Sequence, residues 1–306
     1  MTESPHKRPL PDPELVRRFA RFPVRSRLPM EGGFTGIHRG RHRGAGLEFA
    51  EYRRYAPGDD VTRLDWRVYG RSDRFYVKES ETDSDLACRL LLDATGSMGY
   101  GSGPRAKLAA AVEVAAVLAA LLLRQGDAVG LASVGGTVPV DIAPRRGPAH
   151  LGVLAAALAE LRPAGDGDVA AALSQWAGRL RRRGLLLVFS DTLADPVKLA
   201  ARLGLLAHRG HDVALFAVSD PDEERFPFSG TVRFEDLEGG PAQTLDAGAV
   251  AAAFRRRHQA HCELLAAGCA EHGVRLLRLS TDDDPANVLG RFLSAGRDDA
   301  SAGGPP

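Results

Sequence analysis

A chain of 306 residues is long enough to bury one sizeable core, or one core and a smaller module. Its 44% hydrophobic and 26% charged residues are an ordinary globular balance, and a net charge of +1 excludes a broadly basic nucleic-acid binder. Three cysteines, Cys88, Cys262 and Cys269, are too few for a disulfide framework and fit buried thiols in a reducing compartment.

In chain order, residues 1–13 are Pro-rich and polar and are expected to be disordered. The N-terminus lacks the apolar core of a secretory signal. A short amphipathic pattern follows over Glu14–Arg27, interrupted at Pro23. Residues 32–46 are too rich in Gly, Arg and His for a regular element. A segment of mixed aromatics and charges then contains a turn at Pro57–Asp59 and a strand over Phe75–Glu79. From residue 87 the pattern changes. Cys88–Asp93 is an apolar strand, and Pro104–Gln125 is a long Ala/Leu helix that Gly126 can end. Its apolar stretch, Ala109–Leu123, contains Glu113 and is short for a membrane span. Asp127–Val134 is a strand, with Thr137–Ile142 as a hairpin partner around Gly135 and Gly136. Helices are expected over Pro148–Leu161, Val169–Arg183, Pro196–Arg209 and Val250–His272. Strands are expected over Gly184–Ser190, Asp212–Val218 and Val274–Leu279, and a helical turn over Asn287–Leu293. Apolar strands alternating with helices predict an α/β fold, a mostly parallel sheet covered on both faces. A cytoplasmic protein without a membrane span is expected.

In such sheets, sites form at the carboxyl ends of strands. The first apolar strand ends Asp93-Ala-Thr95-Gly-Ser97, and the strand Gly184–Ser190 runs into Asp191. One carboxylate and two hydroxyls on one turn, with an acid from a second strand, can offer a hard cation such as Mg²⁺ the oxygen ligands it prefers. This region resembles the metal-ion-dependent adhesion site (MIDAS) of von Willebrand factor type A (vWA-like) domains. The resemblance implies a three-layer, Rossmann-like fold in which a divalent metal grips an acidic group of a partner and no reaction is catalysed. The family pattern is Asp-x-Ser-x-Ser, then a Thr on a second loop, then an Asp on a third. Thr95 keeps the first hydroxyl. Where the second-loop Thr is expected, this chain reads Asp166-Gly167-Asp168. Two outcomes stay open: Asp166 or Asp168 replaces the missing ligand, or metal binding is weakened or lost. The candidate metal ligands are Asp93, Thr95, Ser97, Asp168 and Asp191, with Met98 and Tyr100 expected at the rim. The alternative is that Asp93 and Asp191 only cap turns and helices after strands.

The stretch from Gly46 to Trp66, followed by Gly70-Arg71 and Val77-Lys78-Glu79, is similar to the bacterial domain-of-unknown-function family 58. The resemblance runs from about residue 36 to residue 295. It implies an adaptor or chaperone-like role beside a MoxR-type AAA+ ATPase, with a client protein that the sequence does not name. Many relatives carry membrane helices; none is expected here. Read from the residues alone, the charges between Glu48 and Arg71 suggest a structural ion-pair network, anchored by Phe49, Tyr55 and Trp66. The organisation expected is a flexible segment with a short helix over 1–35, a β-rich extension over 36–86, a vWA-like domain over 87–295 and a disordered tail over 296–306.

Several rival readings compete with this one. A scaffold with a degenerate metal site follows from Gly167. A serine hydrolase would use Ser97 with Asp191 and His261 or His272, but the turn lacks the Gly-x-Ser-x-Gly of a nucleophile elbow. A nucleotide site would use Gly96, Gly99, Gly101 and Gly103, but Lys107 is followed by Leu108 and the spacing fits no phosphate loop. A zinc site of His258, Cys262, Cys269 and His272 would spread over roughly 21 Å of helix, so at best His258 and Cys262 form a half-site. The basic runs at 179–183 and 255–257 read as solvated helix faces.

Overall fold

A computed structural model describes residues 10–28, 48–54, 76–81, 86–180 and 183–301. The turn at Pro57–Asp59, the anchors Tyr55 and Trp66, and most of the charges assigned to an ion-pair network lie outside the described residues, as do residues 302–306. The chain divides into two compact units, Pro29–Asp85 and the remainder. In the first, β1 (Glu48–Arg54) pairs antiparallel with β2 (Tyr76–Glu81), with an irregularity in register between Phe49 and Glu51.

The described strands of the larger unit are β3 (Ala87–Ala94), β4 (Ala128–Gly135), β5 (Asp141–Arg145), β6 (Leu185–Ser190), β7 (Asp212–Ser219), β8 (Thr231–Phe234), β9 (Gln243–Asp246) and β10 (Arg275–Ser280). Its helices are α1 (Pro13–Phe19), α2 (Lys107–Arg124), α3 (Pro148–Glu160), α4 (Val169–Arg179), α5 (Pro196–His208), the short α6 (Pro221–Arg225), α7 (Ala247–Glu271) and α8 (Pro285–Ser301). Strands β8 and β9 form a small antiparallel hairpin. The other six make one sheet of order β10-β7-β6-β3-β4-β5, parallel throughout except that β5 runs antiparallel to β4. Residues of β6 are buried along its whole length. A parallel sheet sandwiched between helices requires this, and it is why the strand reads as an unbroken apolar run. The chain winds outward from β3 through β4 to β5, then crosses back to β6 and winds the other way. The reversal lies between β3 and β6, where connections leave the carboxyl ends in opposite directions, the place where sheets of this class bind their ligands. This is the α/β arrangement expected from the sequence, a mostly parallel sheet with helices on both faces.

Two helical layers cover the sheet. On one face, α2 is buried on nearly every side, as a helix with apolar residues all round must be, its charges confined to Lys107, Glu113 and Arg124. Phe189 and Phe216 stack there with ring centres 4.4 Å apart, and Phe292 of α8 closes on Phe216 at 5.5 Å. On the other face, Leu91, Val188 and Leu215 pack with Leu173 and Trp176 of α4, Leu203 of α5 and Leu265 of α7. No described helix is long and apolar enough to cross a membrane. Cys88 and Cys269 are free and buried. Burial pushes the Cys88 thiol well above its ordinary pKa and that of Cys269 up to about 11, so both are poor nucleophiles.

The structure departs from the sequence reading in several places. Residues 10–28, part of the segment expected to be flexible, belong to the larger unit and are tied to its core. The Val24 amide donates to Gln125 Oε1 at 2.6 Å, and the Arg27 amide and guanidinium both donate to the buried Asp212. The hairpin partner expected at Thr137–Ile142 begins only at Asp141. Gly135 and Gly136 both adopt positive φ, and Pro139 brings no amide to a ladder. The turn expected at Asn287–Leu293 is a full helix that runs on past residue 295 to Ser301, into the stretch expected to be a disordered tail. Helix α6 and the hairpin β8–β9 have no counterpart in the sequence reading. The hairpin strands are four residues each, too short to show a period.

Candidate functional site

The carboxyl end of β3 carries Asp93, and the chain then turns sharply through Thr95 into a single 3-10 turn, Gly96–Gly99. Asp93 is 3% exposed. Its Oδ1 accepts from the Thr95 amide at 3.0 Å and from Thr95 Oγ1 at 2.7 Å, and its Oδ2 accepts from Ser190 Oγ at 2.7 Å. Thr95 Oγ1 lies 3.1 Å from Ser97 Oγ, and Ser97 is the half-buried end of this chain of oxygens. Burial raises the Asp93 pKa, and the neighbouring charge of Asp191 raises it further, against hydrogen bonds from Ser190 and Thr95 that lower it. Two carboxylates from two strand ends therefore repel each other where the sheet reverses. A cation placed between them would relieve that repulsion.

The donor set suits a hard divalent ion: two carboxylates and two hydroxyls, oxygen throughout. Among the described residues, no group of three or more His, Cys, Asp or Glu side chains could hold a metal. The half-site of His258 and Cys262 is only a pair, with Sγ 3.6 Å from Nε2. Asp93, Thr95 and Ser97 are thus brought together, with Asp191 in electrostatic reach. Asp168 is engaged elsewhere. Its carboxylate caps α4, accepting from the Ala171 amide at 3.0 Å. Met98 does not stand at the rim. It is fully buried and belongs to the core, because the 3-10 turn points it inward. Tyr100 is half-buried and its hydroxyl reaches Asp222 at 3.4 Å.

The second loop does reach the motif, but with backbone. The Gly96 amide donates to the Gly165 carbonyl at 2.8 Å, and the Ala164 amide to the Ala94 carbonyl at 3.0 Å. Gly167 faces the Thr95 side chain: a Cβ built there would stand 2.9 Å from Thr95 Cγ2 and 3.0 Å from Val134 Cγ1. The Thr95 methyl, which a serine would lack, occupies the space that a side chain at 167 would need. Thr95 and Gly167 therefore compensate each other sterically. Gly167→Thr alone is expected to cost about 1–3 kcal/mol by overpacking, read by urea denaturation. Adding Thr95→Ser is expected to return at least half of the loss. No recovery would mean that Val134 alone sets the space.

Sequence reasoning missed the cation of the site. Lys107, the first residue of α2, has a side chain that is 0% exposed. Its Nζ donates to Asp191 Oδ2 at 2.9 Å and to Glu223 Oε1 of α6 at 2.6 Å. Burial alone would push the Lys107 pKa down; Asp191 and Glu223 outweigh it and hold the pKa above the ordinary value. A signal was present: a lysine opening a largely apolar helix stands at the positive end of the helix dipole and calls for carboxylates nearby. Asp220, fully buried, was also missed. It accepts from the Ser102 amide at 3.0 Å and from Thr281 Oγ1 at 2.6 Å, tying the loop after the motif to the residue that follows β10. The loop of the β8–β9 hairpin adds a further contact, since a Cβ on Gly96 would stand 2.0 Å from the Leu237 carbonyl oxygen. Only glycine fits under that loop.

The triad required of a serine hydrolase is not assembled. His261 Nε2 lies 2.7 Å from the Thr192 carbonyl oxygen, and His272 packs against His208 with ring centres 5.8 Å apart. Ser97 has Thr95 as its hydroxyl partner instead.

Comparison with known proteins bears on the whole chain. The uncharacterized protein Rv1480 of Mycobacterium tuberculosis is 31% identical over 303 residues, covering 95% of this chain and 93% of that protein. The uncharacterized protein MAV169 of Mycobacterium avium is 33% identical over 139 residues, covering 45% of this chain and 80% of its own length. Among solved structures, BatB from Bacteroides thetaiotaomicron is 15% identical with a TM-score of 0.45, over 70% of this chain and 99% of that one. The SpRpn10 VWA domain is 13% identical with a TM-score of 0.41, over 68% of this chain and 95% of its own. The family model described as "Protein of unknown function DUF58" matches residues 51–264, and the chain belongs to that family.

Proposed function

We propose that this chain is a non-catalytic protein-binding module that grips its partner through a divalent cation, with Mg²⁺ as the natural choice. Thr95 and Ser97 would offer hydroxyl oxygens to the ion. Asp93 and Asp191 would stand behind it as direct or water-mediated acceptors. The observation that supports this reading above the rest is the convergence of oxygens at the β3–β6 reversal. Asp93, Thr95 and Ser97 form one hydrogen-bonded chain, and the charge of Asp191 acts on Asp93. With few protein ligands the ion keeps an open position, which a carboxylate of the partner can fill. Resemblance to the family suggests that the partner system is a MoxR-type AAA+ ATPase and its client, with this chain as adaptor.

The test is direct. Mn²⁺ binding is read by electron paramagnetic resonance on the full chain, and binding to a purified MoxR-type ATPase of the same organism is read with and without chelator. The wild type is expected to bind Mn²⁺ and to lose the ATPase when chelated. Asp93→Ala is expected to lose both, by roughly a hundredfold or more, since even an outer partner of a metal carries about 10–100-fold of the site's affinity and Asp93 also holds Thr95 in place. Equal capture of the ATPase by wild type, chelated wild type and Asp93→Ala would instead establish a metal-independent scaffold.

A further inference from the structure

Nothing in the metal-binding reading uses Lys107, yet its side chain is a fully buried charge beside the site. An ammonium removed from water at the positive end of a helix persists only where carboxylates compensate it. Here the compensation comes from Asp191 at 2.9 Å and Glu223 at 2.6 Å. Asp191 is also the acid whose charge acts on Asp93. The lysine and a divalent ion therefore draw on the same carboxylate. The lysine cannot leave, because α2 anchors it among the helices and strands of the core.

We infer that Lys107 is a resident cation of this site: it holds the charge of Asp191, leaves the divalent ion the full charge of Asp93 alone, and makes tight metal binding conditional on a carboxylate brought by the partner. This inference rests on the metal-binding reading and deepens it, since it names the regulation of the site. By linkage, a carboxylate that tightens the metal is itself tightened by the metal to the same degree. An adaptor built this way holds metal and partner together or holds neither firmly. Glu223 completes the device. It supplies a second anchor for the ammonium from α6, so that Lys107 is held in place independently of Asp191.

The experiment measures Mn²⁺ affinity of the full chain, with and without acetate as the smallest carboxylate. The key variant is the pair Lys107→Met with Glu223→Gln, which removes one positive and one negative charge and keeps the local net charge unchanged. Lys107→Gln is the second variant, should the pair fail to fold; its amide keeps a donor without the charge. Either variant is expected to bind Mn²⁺ roughly tenfold or more tightly than wild type. Acetate is expected to tighten Mn²⁺ binding several-fold in wild type and little in the variants. If wild type binds Mn²⁺ and the variants bind no more tightly, Lys107 is a structural tether, the inference is overturned and the metal site stands. If wild type binds none while a variant does, and Asp93→Ala abolishes the gain, the resident cation stands and the metal-dependent function of the natural chain falls. Absence of Mn²⁺ binding in every form overturns both.

Discussion

Lys107→Met alone is expected to lower the unfolding free energy by about 3–5 kcal/mol in metal-free buffer, the range found when one member of a buried ion pair is removed. The side chain is 0% exposed, and its partners Asp191 and Glu223 are 4% and 24% exposed. Substitution by a neutral chain of similar volume keeps the packing of α2 but leaves both carboxylates uncompensated. Urea denaturation in the presence of chelator measures the loss, and excess Mg²⁺ is expected to return part of it. A loss below about 1 kcal/mol would place the pair among those worth no more than an exposed one. The cost arises because the carboxylates come from two separate segments. They cannot retreat into water without unseating the end of β6 or the turn after β7.

A loss of similar size, about 3–5 kcal/mol, is expected for Asp212→Ala at the opposite end of the sheet. Asp212 is 1% exposed at the start of β7. Its carboxylate accepts from Arg275 of β10 at 3.0 Å and from the Arg27 amide at 2.7 Å. It therefore ties the edge strand and the N-terminal segment to the middle of the sheet. Removing it is expected to expose residues 10–28 to trypsin, which has sites at Arg17, Arg18 and Arg21. Limited proteolysis reads this alongside denaturation. Mn²⁺ binding is expected to survive in the folded variant, because Asp212 lies at the amino ends of the strands and the site at their carboxyl ends. Unaltered proteolysis would mean that Val24 and Gln125 hold the segment without it.

The two substitutions separate what a local pattern conveys from what it does not. Asp93, Thr95 and Ser97 were legible because they follow a strand in one short turn, and the 3-10 turn keeps them within hydrogen-bond reach. Asp191 was legible because a second apolar strand ends beside it. Asp168 was chosen only from the resemblance, as a stand-in for the second-loop Thr, and local chemistry commits its carboxylate to a helix cap, as happens readily to an acid ahead of a helix. Lys107 and Glu223 are 116 residues apart. No spacing rule joins them, so their pairing could not be seen in the sequence. The hairpin over Gly96 was invisible for a related reason. Its strands gain their stability from the aromatic cluster of Phe226, Phe228, Phe234 and Phe254 and not from a period of their own.

Alternation of apolar strands and Ala/Leu helices already dictated a covered parallel sheet, because strands buried on both faces must be apolar throughout and helices must bury a stripe. Side-chain identity at two strand ends likewise marked where oxygen ligands would gather. The tertiary structure alone decided the lateral facts: which strands neighbour β3, where the winding reverses, and which loops share that edge. Charge compensation belongs to the same class. A buried ammonium is tolerable only where distant segments deliver carboxylates to within about 3 Å, and that delivery depends on the packing of the entire sheet and not on any stretch of it.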